Sequence, residues 1–135
     1  MSITVRRNHD LKIGQSICIG NAQVTADLSV SEGGNGAGPS PHDYYDSALG
    51  ACKALTVMWY AARKGIPIDD IAVRVDRDSS QERSGTYALT TTLRLGGPLS
   101  DAQIEELRAV AAKCPIHKLM TTVTTTIRTD VERMS

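Results

Sequence analysis

Residues 40–65, SPHDYYDSALGACKALTVMWYAARKG, form the stretch that decides the fold of this 135-residue chain. The pattern predicts one long helix, because Ser40 is a suitable N-cap, Pro41 suits the first helical position and Gly65 is a typical C-terminal stop. Asp43, three residues after Ser40, approximates a capping box and adds an acid to the positive helix end. The helix is apolar nearly all round, which predicts burial on most sides and, in so short a chain, cover from a second subunit.

Two cysteines fall on the apolar stripes of two predicted helices. Positions on one face of the first helix recur at three- and four-residue steps, namely Tyr45, Leu49, Cys52, Thr56 and Trp59. The second helix shows the same spacing at Ile104, Leu107, Ala111 and Cys114. Such positions share one face of a helix, so the two thiols would meet if the helices pack face to face. They would then be either inert core atoms, which is common for buried free cysteine, or a redox pair.

The segments around these helices predict strands. Alternating or β-branched patterns occur at residues 3–7, 11–30, 71–80, 85–97 and 121–132. Between them, Ser100 and Gln103 form a second capping box, and Pro115 is expected to interrupt the helix just after Cys114. A short helical piece, IHKLM, would follow. The order of strands and helices predicts an α+β fold in which long buried helices pack on antiparallel-rich sheets, in a single domain spanning residues 1–135.

Composition and charge exclude several classes of function. Fifteen basic residues balance fifteen acidic ones, so nothing indicates nucleic acid or an anionic membrane as a partner. No segment is long and apolar enough to span a bilayer, and the first residues lack the apolar core of a secretory signal, which favours a cytoplasmic protein. Three cysteines without such a signal do not indicate a disulfide scaffold. In a reducing cytosol, a disulfide would be transient and catalytic.

Two other features carry weaker signals. The glycine-rich stretch 31–39, SEGGNGAGP, lacks the endings of phosphate-binding loops, so it predicts a mobile connection or a loop that closely covers a pocket. Cys18 lies in an alternating segment, where packing within a strand is its expected role.

The chemistry expected of Cys52 depends on a nearby cation. A thiol attacks as its thiolate, and burial in apolar surroundings raises the pKa of thiols in general. Cys52 lies mid-helix, too far from the positive helix end to benefit from it. A working nucleophile would therefore need an imported positive charge, for which Arg6, Arg7 and Arg63 are possible donors, although arginines are more often solvated surface charges.

Cys114 leaves three readings open. His117 follows at i+3, so both side chains face the same way if a short helix continues. The pair could hold zinc, but only with further ligands such as His42 or Asp43, since a zinc site needs three or four. It could be a Cys–His nucleophile for acyl transfer, although no oxyanion signature lies nearby. It could also be a resolving thiol beside a polar histidine.

Two segments together resemble the OsmC/Ohr family of osmotically induced and organic-hydroperoxide-resistance proteins. The first is GAGPSPHDYYDSALGACKALTVMWYAARKGIPIDDIAVRV, residues 36–75, with a proline-rich entry, a helix carrying the cysteine and a basic-glycine end. The second is AAKCPIHKLM, residues 111–120, at the separation found in the family. The resemblance extends over about residues 36–130, and the proline-rich entry with ALGAC is most similar to the OsmC-like branch.

The resemblance implies an intertwined homodimer and a cysteine-based peroxidase that needs neither metal nor flavin. Cys52 would attack an organic hydroperoxide and become a sulfenic acid, which Cys114 would resolve as a disulfide. An external dithiol, either a lipoyl protein or a small thiol, would then reduce that disulfide. Family peroxidases orient the activating arginine with a glutamate ten residues before the first cysteine. Here His42 occupies that position with Asp43 beside it, and Arg6 or Arg7 could supply the cation.

A second interpretation of the same resemblance is a non-catalytic protein of this fold that acts in stress or binds small ligands. A buried helix beside a glycine-rich loop would create an apolar pocket under either interpretation. Rapid loss of thiols on addition of cumene hydroperoxide distinguishes the two.

Overall fold

The computed structural model describes residues 1–134 and comprises two compact units, residues 1–48 and the chain from Leu49 onward. The elements confirm an α+β fold. The strands are β1 (Ile3–Arg7), β2 (Gln15–Ile19), β3 (Ala22–Ala26), β4 (Asp70–Asp78) and β5 (Ala88–Gly96), and the helices are α1 (Pro41–Lys64), α2 (Asp101–Ala111) and α3 (Pro115–Thr121). The unit boundary falls inside α1, whose predicted limits are confirmed.

The N-terminal unit contains an antiparallel sheet in the order β1-β2-β3. A tight turn joins β2 to β3, and Gly20 adopts a φ of 57°, a left-handed conformation that glycine tolerates best. Cys18 pairs with Thr4 on one side and with Gln23 on the other. It lies half-buried within the sheet, as the alternating pattern predicts.

The glycine-rich loop is tied down by one buried carboxylate. Asp27 accepts backbone N–H groups from Leu28 at 2.8 Å, Asn35 at 3.0 Å and Ala37 at 3.1 Å. A Cβ atom at Gly34 would lie only 2.2 Å from the Leu28 carbonyl oxygen, so glycine is required for this close approach. The loop is therefore more firmly held than its composition predicts, because the anchoring acid lies outside the glycine-rich stretch.

We expect Asp27→Asn to lower the midpoint of urea unfolding at pH 7. The N–H group of Ala37, then those of Leu28 and Asn35, favour the charged carboxylate against the effect of burial, and the pKa of Asp27 falls below its ordinary 3.8. A depressed pKa stabilises the fold above the ordinary value, and this stabilisation is lost as the pH falls through the lowered value. The difference between variant and wild type should therefore shrink below about pH 3.8.

Unfolding curves at pH 7 and pH 3 measure this effect, with Asp10→Asn as the exposed control. A gap between Asp27→Asn and wild type that stays constant with pH would contradict the role given to the charge.

The C-terminal unit packs α1, α2 and the β4–β5 hairpin around one core. The hairpin is antiparallel from Asp70 opposite Gly96 to Asp78 opposite Ala88. A Cβ atom at Gly50 would lie 2.9 Å from Val75, so this glycine lets α1 lie close against β4. The buried apolar cluster comprises Val57, Ala61, Ile66, Leu107 and Ala111. The second capping box is confirmed, since Ser100 and Gln103 bond each other's backbone N–H groups.

The buried stripe of α1 differs from the predicted one by about one residue. Its buried positions are Asp46, Leu49, Gly50, Lys53, Val57 and Ala61. Tyr45 and Trp59 are exposed and Cys52 is only half-buried, so the prediction that these three lie on the buried stripe is wrong for a single chain. Both faces of α1 are apolar, so periodicity alone could not tell which one meets the core.

The C-terminal segment forms no strand within the described chain. Residues 121–132 are predicted as a strand, but α3 ends at Thr121 and no ladder involves residues 123–134. No strand of the described chain pairs with this segment, and a strand exists only where a neighbouring strand hydrogen-bonds it. In an extended chain Val123, Ile127 and Val131 would share one face, and all three are exposed. None of the helices within residues 1–134 is long and apolar enough to cross a membrane.

Candidate redox site

Cys114 lies at the junction between α2 and α3. Helix α2 ends at Ala111, and Cys114 is the N-cap of α3, with Pro115 at the first helical position. Proline has no N–H to continue the α2 hydrogen bonds, and its fixed φ suits a helix start. The Cys114 Sγ accepts the backbone N–H of His117 at 3.3 Å. The cysteine is completely buried, so the junction presents its sulfur to the interior.

The Cys52 and Cys114 thiols lie close together in the C-terminal unit. Cys52 lies half-buried on α1, with its Sγ 3.9 Å from Thr56 Oγ1. The pKa of Cys114 is raised, first by burial and further by the neighbouring Cys52 side chain and its charge. The backbone N–H of His117 and the charge of Lys53 act in the opposite direction and lower it. Both cysteines are free thiols in this structure, and Cys52 is close enough to influence the ionisation of Cys114.

A buried lysine stands beside this pair. Lys53 is only 4% exposed, and its Nζ donates to the Ala111 carbonyl oxygen at 2.9 Å and to His117 Nδ1 at 3.0 Å. With Nδ1 as the acceptor, the proton of the His117 ring is on Nε2. Ala111 is the last residue of α2, so the ammonium group also sits at the negative end of that helix. Lys53 thus links all three helices around the thiols.

Sequence reasoning missed Lys53. The available signal was a single lysine in an otherwise apolar run, in helical register with Val57 and Ala61, which are both fully buried. A lysine at such a position is unusual, because charged side chains are rarely buried without polar partners. The sequence predicts instead that a distant arginine supplies the positive charge near Cys52.

A cavity of about 470 Å³ opens beside the site, between α2 and β5. Lys53 and His117 line one part of it, together with Arg108. Leucines 93, 95 and 107 supply apolar walls. The cavity therefore combines a cationic region with apolar surface, an arrangement typical of small-molecule sites.

The other predicted site residues belong to the N-terminal unit. Arg6 and Arg7 lie on β1, opposite Ser16 and Gln15. The Asp43 carboxylate accepts a hydrogen bond from the Ser40 backbone N–H at 2.9 Å. The Asp43 backbone N–H donates one to the Ser40 hydroxyl oxygen at 3.2 Å, so the two residues cap the start of α1. His42 occupies the first turn of the same helix.

Two further candidates have other surroundings. Arg63 stacks over the Trp59 ring at 4.8 Å, a cation–π contact. Across residues 1–134, no three side chains of histidine, cysteine, aspartate or glutamate are grouped so that they could share a metal ion.

The fold and the thiol pair define an α+β protein in which a cysteine at a helix junction lies near a cysteine of the long helix α1. The description "OsmC-like protein" is that of the family model matching residues 33–129, and the chain belongs to this family. A search of curated proteins finds no significant match.

Solved structures share the fold. The OsmC-like protein of Mycoplasma pneumoniae is 24% identical with a TM-score of 0.72, the match covering 90% of this chain and 87% of that one. An organic hydroperoxide resistance protein, OsmC, of Legionella pneumophila is 15% identical with a TM-score of 0.66 and 90% coverage of both chains. The organic hydroperoxide resistance protein OhrB of Bacillus subtilis is 20% identical with a TM-score of 0.59 and the same coverage.

Proposed function

We propose that this protein is a thiol-dependent peroxidase that reduces organic hydroperoxides. The observation that carries the proposal is the proximity of a half-buried thiol, Cys52, to a fully buried one, Cys114, which is near enough for Cys52 to raise the pKa of Cys114. The more accessible sulfur can meet a substrate, while the buried one can meet only its neighbour. This difference in exposure matches the roles of an attacking thiol and a resolving thiol.

The proposed cycle needs no metal and no flavin. The Cys52 thiolate attacks the terminal peroxide oxygen, the O–O bond breaks, and the alkoxide leaves as an alcohol after gaining a proton. The resulting sulfenic acid is attacked by Cys114, which forms the Cys52–Cys114 disulfide and releases water. An external dithiol, a lipoyl protein or a small thiol of the reducing cytoplasm, supplies two electrons and returns both cysteines to thiols. The family resemblance makes Arg6 or Arg7 the proposed activator of Cys52, with His42 or Asp43 as possible orienting groups.

We also propose that the working form is an intertwined homodimer. Leu55 and Trp59 lie one turn apart on α1 and are 70% and 62% exposed, with Met58 beside them. The apolar face of residues 123–131 is uncovered as well. Exposed apolar patches of this kind mark protein interfaces, and a second copy would supply cover for both.

Titration of free thiols before and after one equivalent of cumene hydroperoxide tests the peroxidase. We expect the rapid loss of the Cys52 and Cys114 thiols, while Cys18 stays reduced because it is a half-buried residue of strand β2 with no part in the proposed pair. Cumyl alcohol, which has the same carbon skeleton without the O–O bond, is the matched control. Retention of all thiols during peroxide treatment would contradict the proposal.

The alternative is a non-catalytic protein that binds small ligands. The cavity between α2 and β5, lined by apolar side chains with Lys53 and His117, favours it. In that case the thiols would survive the peroxide, and a small apolar acid would stabilise the protein against thermal unfolding.

A further inference from the structure

We propose that Lys53 is a positioning residue for recycling of the disulfide: it stabilises Cys114 as the departing thiolate, so that the reductant attacks Cys52. This inference rests on the proposed function for the Cys52–Cys114 disulfide itself. It adds which sulfur of the disulfide the reductant attacks and which residue decides this.

The first argument is the environment of the Lys53 ammonium group. It is almost completely buried, and both acceptors recorded for its Nζ, the Ala111 carbonyl oxygen and His117 Nδ1, are uncharged. A buried charge is costly unless an opposite charge compensates it. A thiolate at the neighbouring Cys114 would supply that opposite charge without moving any helix.

The second argument is that Lys53 and Cys114 are both held by His117. The His117 ring accepts a hydrogen bond from the Lys53 Nζ, and the His117 backbone N–H donates one to the Cys114 Sγ. Within the described chain, the groups that shift the pKa of the Cys114 thiol are Cys52 and Lys53 from α1 and the backbone N–H of His117 from α3, while Arg108 of α2 lines the adjoining cavity.

These groups change their balance during the exchange. In the free dithiol, burial and the Cys52 thiol raise the pKa of Cys114, and they outweigh the His117 N–H and Lys53. Once Cys52 is held in a mixed disulfide it carries no thiolate charge, so the repulsion it exerts on a Cys114 thiolate disappears. Lys53 and the His117 N–H then remain to stabilise the departing sulfur, and a better-stabilised thiolate leaves faster.

The difference in solvent exposure between the two cysteines also favours attack on Cys52. Cys114 has no exposed surface, whereas Cys52 is half-buried. A reductant thiolate would form a bond to Cys52 Sγ, the S–S bond would break, and its electron pair would pass to Cys114 Sγ, which later takes a proton from solvent. The second thiol of the reductant would then attack the reductant sulfur that is bonded to Cys52. This step releases Cys52 as a thiolate and the reductant as a disulfide.

The experiment measures reduction of a disulfide made without peroxide. In a Cys18→Ser background, diamide closes the Cys52–Cys114 disulfide, and dithiothreitol then reduces it. We expect Lys53→Met to slow this reduction several-fold, because a departing Cys114 thiolate without the lysine charge is less stable and leaves more slowly. Lys113→Met is the matched control, because Lys113 adjoins Cys114 in sequence but is exposed, and it should react like the parent.

Two further readouts separate charge stabilisation from a merely structural role. In the Cys18→Ser background with Cys52 also replaced by serine, Cys114 is the last remaining thiol. The pH profile of its ultraviolet thiolate absorbance should move to higher pH in Lys53→Met and return towards the parent profile in Lys53→Arg. With glutathione as the reductant, peptide mass spectrometry should find the mixed disulfide on Cys52. If Lys53→Met does not fold, Lys53→Gln removes the charge while keeping a hydrogen-bond donor.

Three results would overturn the inference: an unchanged reduction rate and thiolate titration in the charge-removing variant, a mixed disulfide on Cys114, or failure of diamide to join the two sulfurs. The proposed function fails separately. If diamide closes the disulfide and Lys53 controls its reduction, but no hydroperoxide is consumed, the inference stands and the peroxidase proposal does not.

Discussion

Cys52→Ser should reduce hydroperoxide consumption to the uncatalysed background, while Cys114→Ser should retain one round of oxidation and lose turnover. The reason is the unequal position of the two sulfurs. Cys52 is accessible enough to meet a substrate, and serine at this position cannot form a sulfenic acid. Cys114 is completely buried, so its replacement leaves the first step and removes only the partner that forms the disulfide.

Consumption of cumene hydroperoxide with excess dithiothreitol measures turnover, and the same assay without reductant measures the single round. The Cys114→Ser protein should consume about one equivalent per chain and then carry an oxidised Cys52, which dimedone traps as a sulfenic acid. Cys18→Ser is the control and should match the wild type, since Cys18 is a half-buried residue of strand β2 with no part in the proposed cycle. Equal loss of the single round in both site variants would reject this assignment of roles.

Leu55→Arg should convert the proposed dimer to a weakly associating or monomeric protein. Leu55 is 70% exposed in the single chain and lies one helical turn from Trp59, which is 62% exposed. If these side chains form the centre of an interface, a charge there costs about 2–4 kcal/mol, which weakens association roughly 30- to 1000-fold. Sedimentation velocity at micromolar concentration should show a dimer for the wild type and a lighter species for the variant.

The control for this prediction is Ala109→Arg, which places the same charge on an exposed position of α2. It should leave the dimer intact. A wild-type protein that sediments as a stable folded monomer at micromolar concentration would contradict the proposed dimer, irrespective of the variant.

The two cysteines of the candidate site could be predicted from the sequence, but the charged group beside them could not. Cys52 and Cys114 can be predicted from their distinctive flanking sequences, although Cys114 lies at the junction after α2, as the N-cap of α3, and not on the stripe of α2. Lys53 was not found, although it is adjacent to Cys52 in sequence. Its role depends on Ala111 and His117, about sixty residues away, and no local pattern reports a hydrogen bond over that distance.

The sequence by itself determined the elements whose ends are set by neighbouring residues. Ser40 and Gly65 bound α1, Ser100 and Gln103 start α2, and Pro115 separates α2 from α3. Each of these signals acts through hydrogen bonds or φ restrictions within a few residues, so it can be read without knowing the rest of the fold.

Only the tertiary structure decided which face of α1 is buried and what surrounds the thiols. Both faces of that helix are apolar, and the choice depends on the close approach of Gly50 to Val75 and on the acceptors available to Lys53. In the same way, residues 121–132 have the composition of a strand, but a strand exists only where a neighbour bonds it. Burial and pairing are properties of distant contacts, and therefore the local pattern left both open.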